Sequence, residues 1–338
     1  MKKLKFLLIP RSNNFQDTIQ IFFIGKELSI KGHYVKKLTA PLFDKNLSSI
    51  VNEYSFDVIF RIGAGKTVLV KKNTRFISWT KSVNDVLNYL DNYNQDDIIY
   101  TLEDHTLENK NQIIKNLLPA ACVIDNNLSI EDLSKKKTFK INSFQEIDLS
   151  YHGNEMLFDV YSGQQKIKNE NALYVFNNIN EVTRKLKLSS YKIKSNFYGL
   201  IPPNKELFRN ENFSFLGRLK NFYSHFEIFK KSKINLISER NFFDFNTKFF
   251  NIIIVQGFVL LDDDLQKNLI NKIFNLGFNK EESISVFSEN DIINGIIEDL
   301  IDNHEKRLKI AKKAHQIILE SHTYRQRVEQ ILKDLNPN

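Results

Sequence analysis

The sequence has one cysteine, Cys122, in 338 residues. That excludes an intrachain disulfide and fits a reducing, cytoplasmic compartment. It also has no apolar run near the ~20 residues a membrane-spanning helix needs. The richest run, Ile252 to Leu261, is interrupted by Gln256 and Gly257. The basic start Met1-Lys2-Lys3-Leu4-Lys5 leads into a short apolar run ending at Pro10, which reads as a first strand and not as a signal peptide. Zinc-type His-x-x-x-His and Cys-x-x-Cys pairs are absent, so no metal site is expected. There is no nucleic-acid-binding motif and no internal repeat. Glycine is scarce, at 11 residues, while Asn, Lys, Ile and Phe are abundant; that bias reads as an AT-rich genome and carries no functional meaning.

What is present describes a globular chain, 42% hydrophobic and 26% charged, long enough for two domains. The net charge of +8 fits a solvated basic surface, nucleic acid, an anionic membrane surface or an anionic small substrate. The lysines are scattered, and their densest run, Lys135-Lys136-Lys137, falls in a segment of weak pattern. Nucleic acid is therefore not an expected partner. A peripheral position at an anionic inner-membrane face stays open.

Along the chain, apolar runs alternate with helical stretches. Strands are predicted at Lys5–Ile9, Tyr34–Leu38, Phe56–Phe60, Arg75–Trp79, Asp97–Leu102 and Ala121–Ile124, with a helix ending near Ile30. Such alternation implies a parallel sheet covered on both faces, with ligands at the carboxyl ends of its strands. The rim loops would be Arg11–Gln16, Arg61–Lys66, Thr80–Asn84 and Glu103–Thr106. The predicted domain break is Ser134–Gln145. Strands Asp148–Tyr151, Phe213–Gly217, Ile234–Ile237, Phe258–Leu261 and Ser285–Phe287 then form a second domain. Ser288 and Asp291 have capping-box spacing. Ile292, Ile293, Ile296, Ile297, Leu300 and Ile301 form one apolar stripe of a helix beginning near Ile292.

Two segments imitate known ligand motifs. Gly63-Ala64-Gly65-Lys66-Thr67 looks like the end of a phosphate-binding loop, but the motif needs a glycine where Phe60 stands. Asp262-Asp263-Asp264 has the spacing of clustered carboxylates that suit a hard cation. Its place after a strand near the end of the chain argues for a strand-end loop instead.

The last third carries the specific residues. Ser232-Lys233-Ile234-Asn235-Leu236 is followed by Thr247-Lys248-Phe249-Phe250-Asn251, then Gly257, then a strand to Asp262, then His322-Thr323-Tyr324 with Arg327. This order resembles the C-terminal domain of the spore-maturation (CgeB-like) branch of the GT-B glycosyltransferases. That family shows Ser-Lys-Ile-x-Leu, Arg-x-Phe-Glu opening a helix, Cys-Gly-Gly, a strand ending in Thr-Asp, and His-Thr-Tyr-x-x-Arg. Here the arginine is Lys248 and the glutamate is Asn251.

The resemblance implies two Rossmann-like α/β domains facing across a cleft. Residues 1–145 would take the acceptor and residues 146–320 the nucleotide-sugar donor. Residues 321–338 would form a helix crossing back to the first domain. It also implies transfer of a sugar from a nucleotide-diphosphate donor to a hydroxyl of a glycan, lipid-linked glycan or protein, with no cofactor and no metal. The alternative is a degenerate member that binds a sugar or a partner without catalysis, motivated by Lys248 and Asn251.

The donor candidates are Thr247, Lys248 and Asn251 on the first turn of a helix, where free amides favour a diphosphate. Arg218, Lys220 and His225 are candidates after the Phe213–Gly217 strand, and Gly153 after the Asp148–Tyr151 strand. The base for an inverting transfer would come from Asp17, Asp104 or His105, residues that could take a hydroxyl proton at the rim of the first sheet. Each has a plainer reading: packing or capping for the helix and loop residues, a structural role for a lone histidine. His33, Trp79 and His322-Thr323-Tyr324 read as turn or packing residues.

Overall fold

The computed structural model describes residues 2–11, 15–38, 44–63, 65–67, 73–80, 84, 86–102, 113–117, 120–121, 147–152, 180–189, 193–198, 212–217, 219, 222–238 and 242–336. The chain divides into two compact units, Met1–Ala120 with Thr323–Asn338, and Ala121–His322.

In the first unit the order is β1 (Lys5–Ile9), α1 (Phe15–Ile30), β2 (Tyr34–Lys37), α2 (Asp44–Glu53), β3 (Val58–Ile62), β4 (Arg75–Thr80), a 3-10 turn (Leu87–Asn92), β5 (Ile98–Thr101) and β6 (Ile113–Asn116). The six strands are parallel, in the order β2-β1-β3-β4-β5-β6. β1 is a continuous apolar run because both its faces are covered. Leu7 and Ile9 join Ile59, Phe76 and Ile99 in a core closed by Val51 and Val86. On the other face Leu8 meets α1 at Gly25, where an added Cβ would lie 3.1 Å from Leu8 Cδ1.

The chain's last helix, Tyr324–Leu335, belongs to this unit. Tyr324 stacks on Phe23 of α1, ring centroids 5.5 Å apart. Val328, Ile331, Leu332 and Leu335 are buried. Asp334 accepts hydrogen bonds from Tyr100 Oη at 2.7 Å and from Lys115. Thr323 and Gln326 close a capping box at its start.

The second unit runs β7 (Ile147–His152), β8 (Ser195–Tyr198), β9 (Phe213–Gly217), α3 (Phe222–Lys231), β10 (Ser232–Ile237), α4 (Phe242–Ile254), β11 (Val259–Asp262), α5 (Asp263–Asn275), β12 (Ser285–Phe287), α6 (Glu289–Ile293), α7 (Ile296–Asp302) and α8 (His304–Ser321). A helical segment at 180–186 also belongs to it. Its sheet is again six-stranded and parallel, in the order β12-β11-β10-β7-β8-β9.

The predicted pattern and the fold differ in four places. The sixth strand of the first sheet is β6, not Ala121–Ile124: Ala121 makes only an isolated bridge, its N–H donating to His322 O at 2.8 Å, and residues 122–124 lie outside the described set. β8, Ser-Asn-Phe-Tyr, was not predicted because only two of its four residues carry an apolar signal. The units divide after Ala120, whereas the predicted break at 134–145 lies outside the described residues. The single helix over the isoleucine stripe is two helices, because Gly295 turns left-handed at φ 83° and starts α7 anew. Ile293 is consequently 62% exposed, while Ile292, Ile297, Leu300 and Ile301 are buried. The Ser288–Asp291 capping box forms at the start of α6.

In the turn after α4 the left-handed position is not held by the glycine. The left-handed residue is Gln256, φ 58°. Gly257 answers a different need, since an added Cβ would lie 2.8 Å from Ile252 Cγ2 and 2.9 Å from Ile252 O. Gly257→Ala should therefore destabilise by about 1–3 kcal/mol through overpacking. Gln256→Gly should be neutral or stabilising, because it relieves a left-handed side chain costing about 1 kcal/mol. Urea midpoints of the two variants check this; an equal loss in both would refute the division of roles.

Candidate functional site

In the second sheet, β7 is the unit's first strand and lies in the middle. The chain adds β8 and β9 on one side, then returns to place β10 on the other side of β7. The connections therefore leave β7 and β10 in opposite directions, which opens a crevice at their carboxyl ends. β7 ends there in His152, and β10 is followed there by Ser238.

His152 is the centre of a basic cluster. Its ring is 4% exposed. Tyr198, at the end of β8, stacks on it with centroids 4.8 Å apart and planes at 19°. Phe229 of α3 approaches to 4.6 Å. Its Nδ1 lies 3.2 Å from Nδ1 of the half-buried His225 on α3, so one ring donates to the other. Its Nε2 is buried without a hydrogen-bond partner. Lys248, half-way along α4, donates from Nζ to the backbone oxygen of His152 at 2.5 Å. Burial, then the neighbouring His225 and Lys248, hold the His152 imidazole well below its ordinary range, so it is neutral.

The residues around this cluster are architectural. Ser232 Oγ donates to Ile228 O at 2.7 Å and closes α3. Lys233 pairs with Asp148 across β10 and β7 at 2.7 Å. Asn235, buried in β10, donates to Phe229 O at 3.0 Å and Phe258 O at 3.2 Å, and accepts from Ser150 Oγ at 3.0 Å. Asp262 is buried, accepting from Lys185 Nζ at 2.8 and 3.0 Å and from Ser238 Oγ at 2.9 Å. Its carboxylate is thus committed within the protein, and Asp263 opens α5. Among the described residues no group of three or more His, Cys, Asp or Glu could hold a metal ion. His322 stacks on Phe250 and Phe278, at 5.3 and 5.9 Å, and its Nε2 lies 3.0 Å from Leu276 O.

The structure brings together two of the predicted donor residues, His225 and Lys248. Three points of the prediction change. α4 starts at Phe242, so Thr247 and Lys248 are not on its first turn; the Phe242-Phe243 pair adds a turn before the motif, and the free amides belong to residues ahead of it. Asn251 is 4% exposed, buried on α4. His152, which ends β7 and directly precedes the candidate Gly153, was not among the candidates. Gly153, Arg218 and Lys220 lie outside the described residues, as do Asp104 and His105. Asp17 lies on α1, just after the end of β1.

The glycine-lysine segment after β3 is also structural. Lys66 is fully buried, its Nζ 2.6 Å from Asp97. Asp97 also accepts from Phe76 N at 2.6 Å and Asn94 N at 2.7 Å. Tyr93 Oη accepts from Lys66 N at 2.8 Å and lies 2.5 Å from Ser78 Oγ; burial pushes its phenol up to about 12. Trp79 Nε1 donates to Leu117 O at 2.8 Å, and His33 Nδ1 accepts from Leu4 N at 3.1 Å.

Two parallel Rossmann-like α/β units are the GT-B glycosyltransferase fold. Solved structures agree along the whole chain. A glycosyltransferase from Rickettsia africae has a TM-score of 0.60 at 12% identity, covering 100% of both chains. The Anabaena protein HepE, solved with UDP and glucose, gives 0.55 at 11%, covering 99% of this chain and 100% of its own. WaaG, a glycosyltransferase involved in lipopolysaccharide biosynthesis, gives 0.55 at 9% with the same coverage. A family model described as glycosyl transferase-like matches residues 169–333, just under half of the chain. This part of the protein is thus similar to glycosyl transferase-like domains. No curated protein sequence matches significantly. Among the described residues no helix is long and apolar enough to cross a membrane.

The neutral His152 makes stability depend on pH. Unfolded, it takes a proton near 6.5; folded, it does not until well below that. Its stabilisation is present above pH 6.5 and is lost as pH falls below it, by up to about 1.4 kcal/mol per pH unit. His33, lowered mainly by burial, has the same sign. Urea midpoints should fall from neutral pH to about pH 5 and fall less steeply in His152→Gln. An unchanged slope in that variant would show that the buried ring does not set the acid limit.

Proposed function

We propose that the protein is a glycosyltransferase of the hexosyltransferase kind. It moves a sugar from a nucleotide-diphosphate donor to a hydroxyl of a glycan, lipid-linked glycan or protein, without a metal or other cofactor. The observation that carries the reading is the basic cluster at the carboxyl end of β7, within the unit that contains most of the family match. A diphosphate seeks positive charge and open donors at such a strand end. In the transfer the acceptor oxygen forms a bond to the anomeric carbon. The bond from that carbon to the diphosphate oxygen breaks, with its electron pair left on the diphosphate. The acceptor's proton goes to a base, for which Asp17, Asp104 and His105 are the residues to test. The metal-free assignment is supported by Asp262, whose carboxylate is neutralised by Lys185. The finer CgeB-like assignment is supported by Ser232-Lys233-Ile234 and His322-Thr323-Tyr324 with Arg327.

A second reading is a degenerate protein that binds a sugar or partner without catalysis. The buried Asn251, where the resemblance has a ribose-binding glutamate, favours it.

Thermal shifts with UDP, GDP, CMP and their sugar conjugates, without metal and with Mg²⁺, decide between them. A ligand at ~100 times its dissociation constant adds about 2.7 kcal/mol. For domains of this size that is roughly 5–10 °C. A shift with one nucleotide family supports the enzyme, and loss of its metal-free shift on Lys248→Met supports the site. A flat panel favours the degenerate protein.

A further inference from the structure

The His152–His225 contact has a consequence beyond donor holding. Two ring nitrogens 3.2 Å apart are bridged by one N–H, donated by one ring to the other, so a further proton would be taken up by the pair as a unit. The pair is enclosed by β8, α3 and α4. Tyr198 faces it from β8, Phe229 from α3 and Lys248 from α4. Among the described residues the titratable groups that act on His152 are His225 and Lys248, and neither is acidic. A further proton on the pair would create an imidazolium inside a packed site beside an ammonium, and both burial and repulsion oppose that. A bound phosphate reverses the sign of the repulsive part. Its negative charge would offset both Lys248 and the added proton in a poorly screened place, where charges interact strongly.

We propose that phosphate binding at the carboxyl end of β7 is coupled to uptake of a proton by the His152–His225 pair, with Lys248 supplying the fixed charge. The inference rests on the donor-site reading above and adds to it a proton-linked affinity. It makes the site bind its ligand more tightly as pH falls. His225, the less buried ring of the pair, is assigned the ligand contact, and His152 is a positioning residue that acts through it. A consequence for turnover follows. Loss of the sugar leaves the diphosphate with one more negative charge, which the extra proton on the pair offsets.

The test is calorimetric titration of the full chain with UDP, GDP and inorganic diphosphate, in buffers of low and high ionisation enthalpy. Titration of the ligand's own phosphate contributes equally in every variant, so the readout is the difference between variants. Wild type should take up more protons on binding than His225→Gln. Its affinity should rise as pH falls, by up to about tenfold per pH unit, with a flatter slope in His225→Gln and His152→Gln. His225 is half-buried, so His225→Gln carries the comparison if His152→Gln does not fold. Equal proton uptake in wild type and His225→Gln overturns the coupling, and so does failure of all three ligands to bind. Nucleotide binding and sugar transfer without histidine-dependent protons would sink the coupling and leave the glycosyltransferase. Proton-linked binding of inorganic diphosphate, with nothing gained from a nucleoside, would sink the donor reading and leave the coupling.

Discussion

The second unit is organised around the amide of Asn235. It lies inside the sheet on β10, where an unpaired amide would cost roughly 1–3 kcal/mol. It avoids that cost by donating to Phe229 O and Phe258 O while accepting from Ser150 Oγ. Those partners belong to the end of α3, the residue leading into β11, and β7. One side chain thus joins the two strands that flank the crevice to the helix before them and the strand after. A sheet register displaced by one residue would turn this amide toward the wrong face and leave all three groups unpaired. Since β7 and β10 fix where their carboxyl ends lie, Asn235 also fixes where His152 meets α3 and α4.

Buried ion pairs do comparable work at the margins. Lys66–Asp97 ties the segment after β3 to the residues before β5, and Lys185–Asp262 ties the helical segment at 180–186 to the end of β11. Such pairs add little net stability against an apolar replacement, because both charges must be desolvated. Removing one partner is what costs, since the other is then buried and unpaired. They therefore specify an arrangement. This explains why both segments imitate ligand motifs: a lysine after glycines and an aspartate ending a strand are the residue types of phosphate and metal sites. Here each has its opposite charge within the same unit.

The alternating α/β pattern was legible because most strands are rich in apolar residues, and the predicted bounds agree closely with the observed ones at the central β1 and at the edge strands β9 and β12. β6 and β8 were hidden by their composition: they are four residues long, with polar residues in or around them. The helix break at Gly295 was hidden because the isoleucine stripe continues through it in helical spacing, so periodicity alone could not register a left-handed residue. For the site, Lys248 and His225 could be read from the resemblance and from a lone histidine near a strand end. The partnership of His152 with both could not. It depends on β7 and β10 being neighbours, a contact made across 96 residues for Lys248 and 73 for His225. The burial of Asn251, three residues on from Lys248, likewise depends on what packs against α4 and could not be read from spacing.

The place of Lys248 within α4 changes what the substitution of lysine for the resemblance's arginine means. At a helix start, a cation would compete with the positive end of the helix dipole, and the diphosphate would be held chiefly by backbone amides. In mid-helix the dipole contributes little, and the charge must be delivered by the side chain itself. An arginine would offer a planar fork suited to bridging two phosphate oxygens. The lysine instead spends one of its three N–H donors on the His152 carbonyl, which fixes the ammonium against the last peptide of β7. Positive charge is kept at the strand end, while bidentate geometry is given up. The two imidazoles beside it are the part of the site whose charge a bound anion can change, since histidine is the side chain most readily switched by its neighbours.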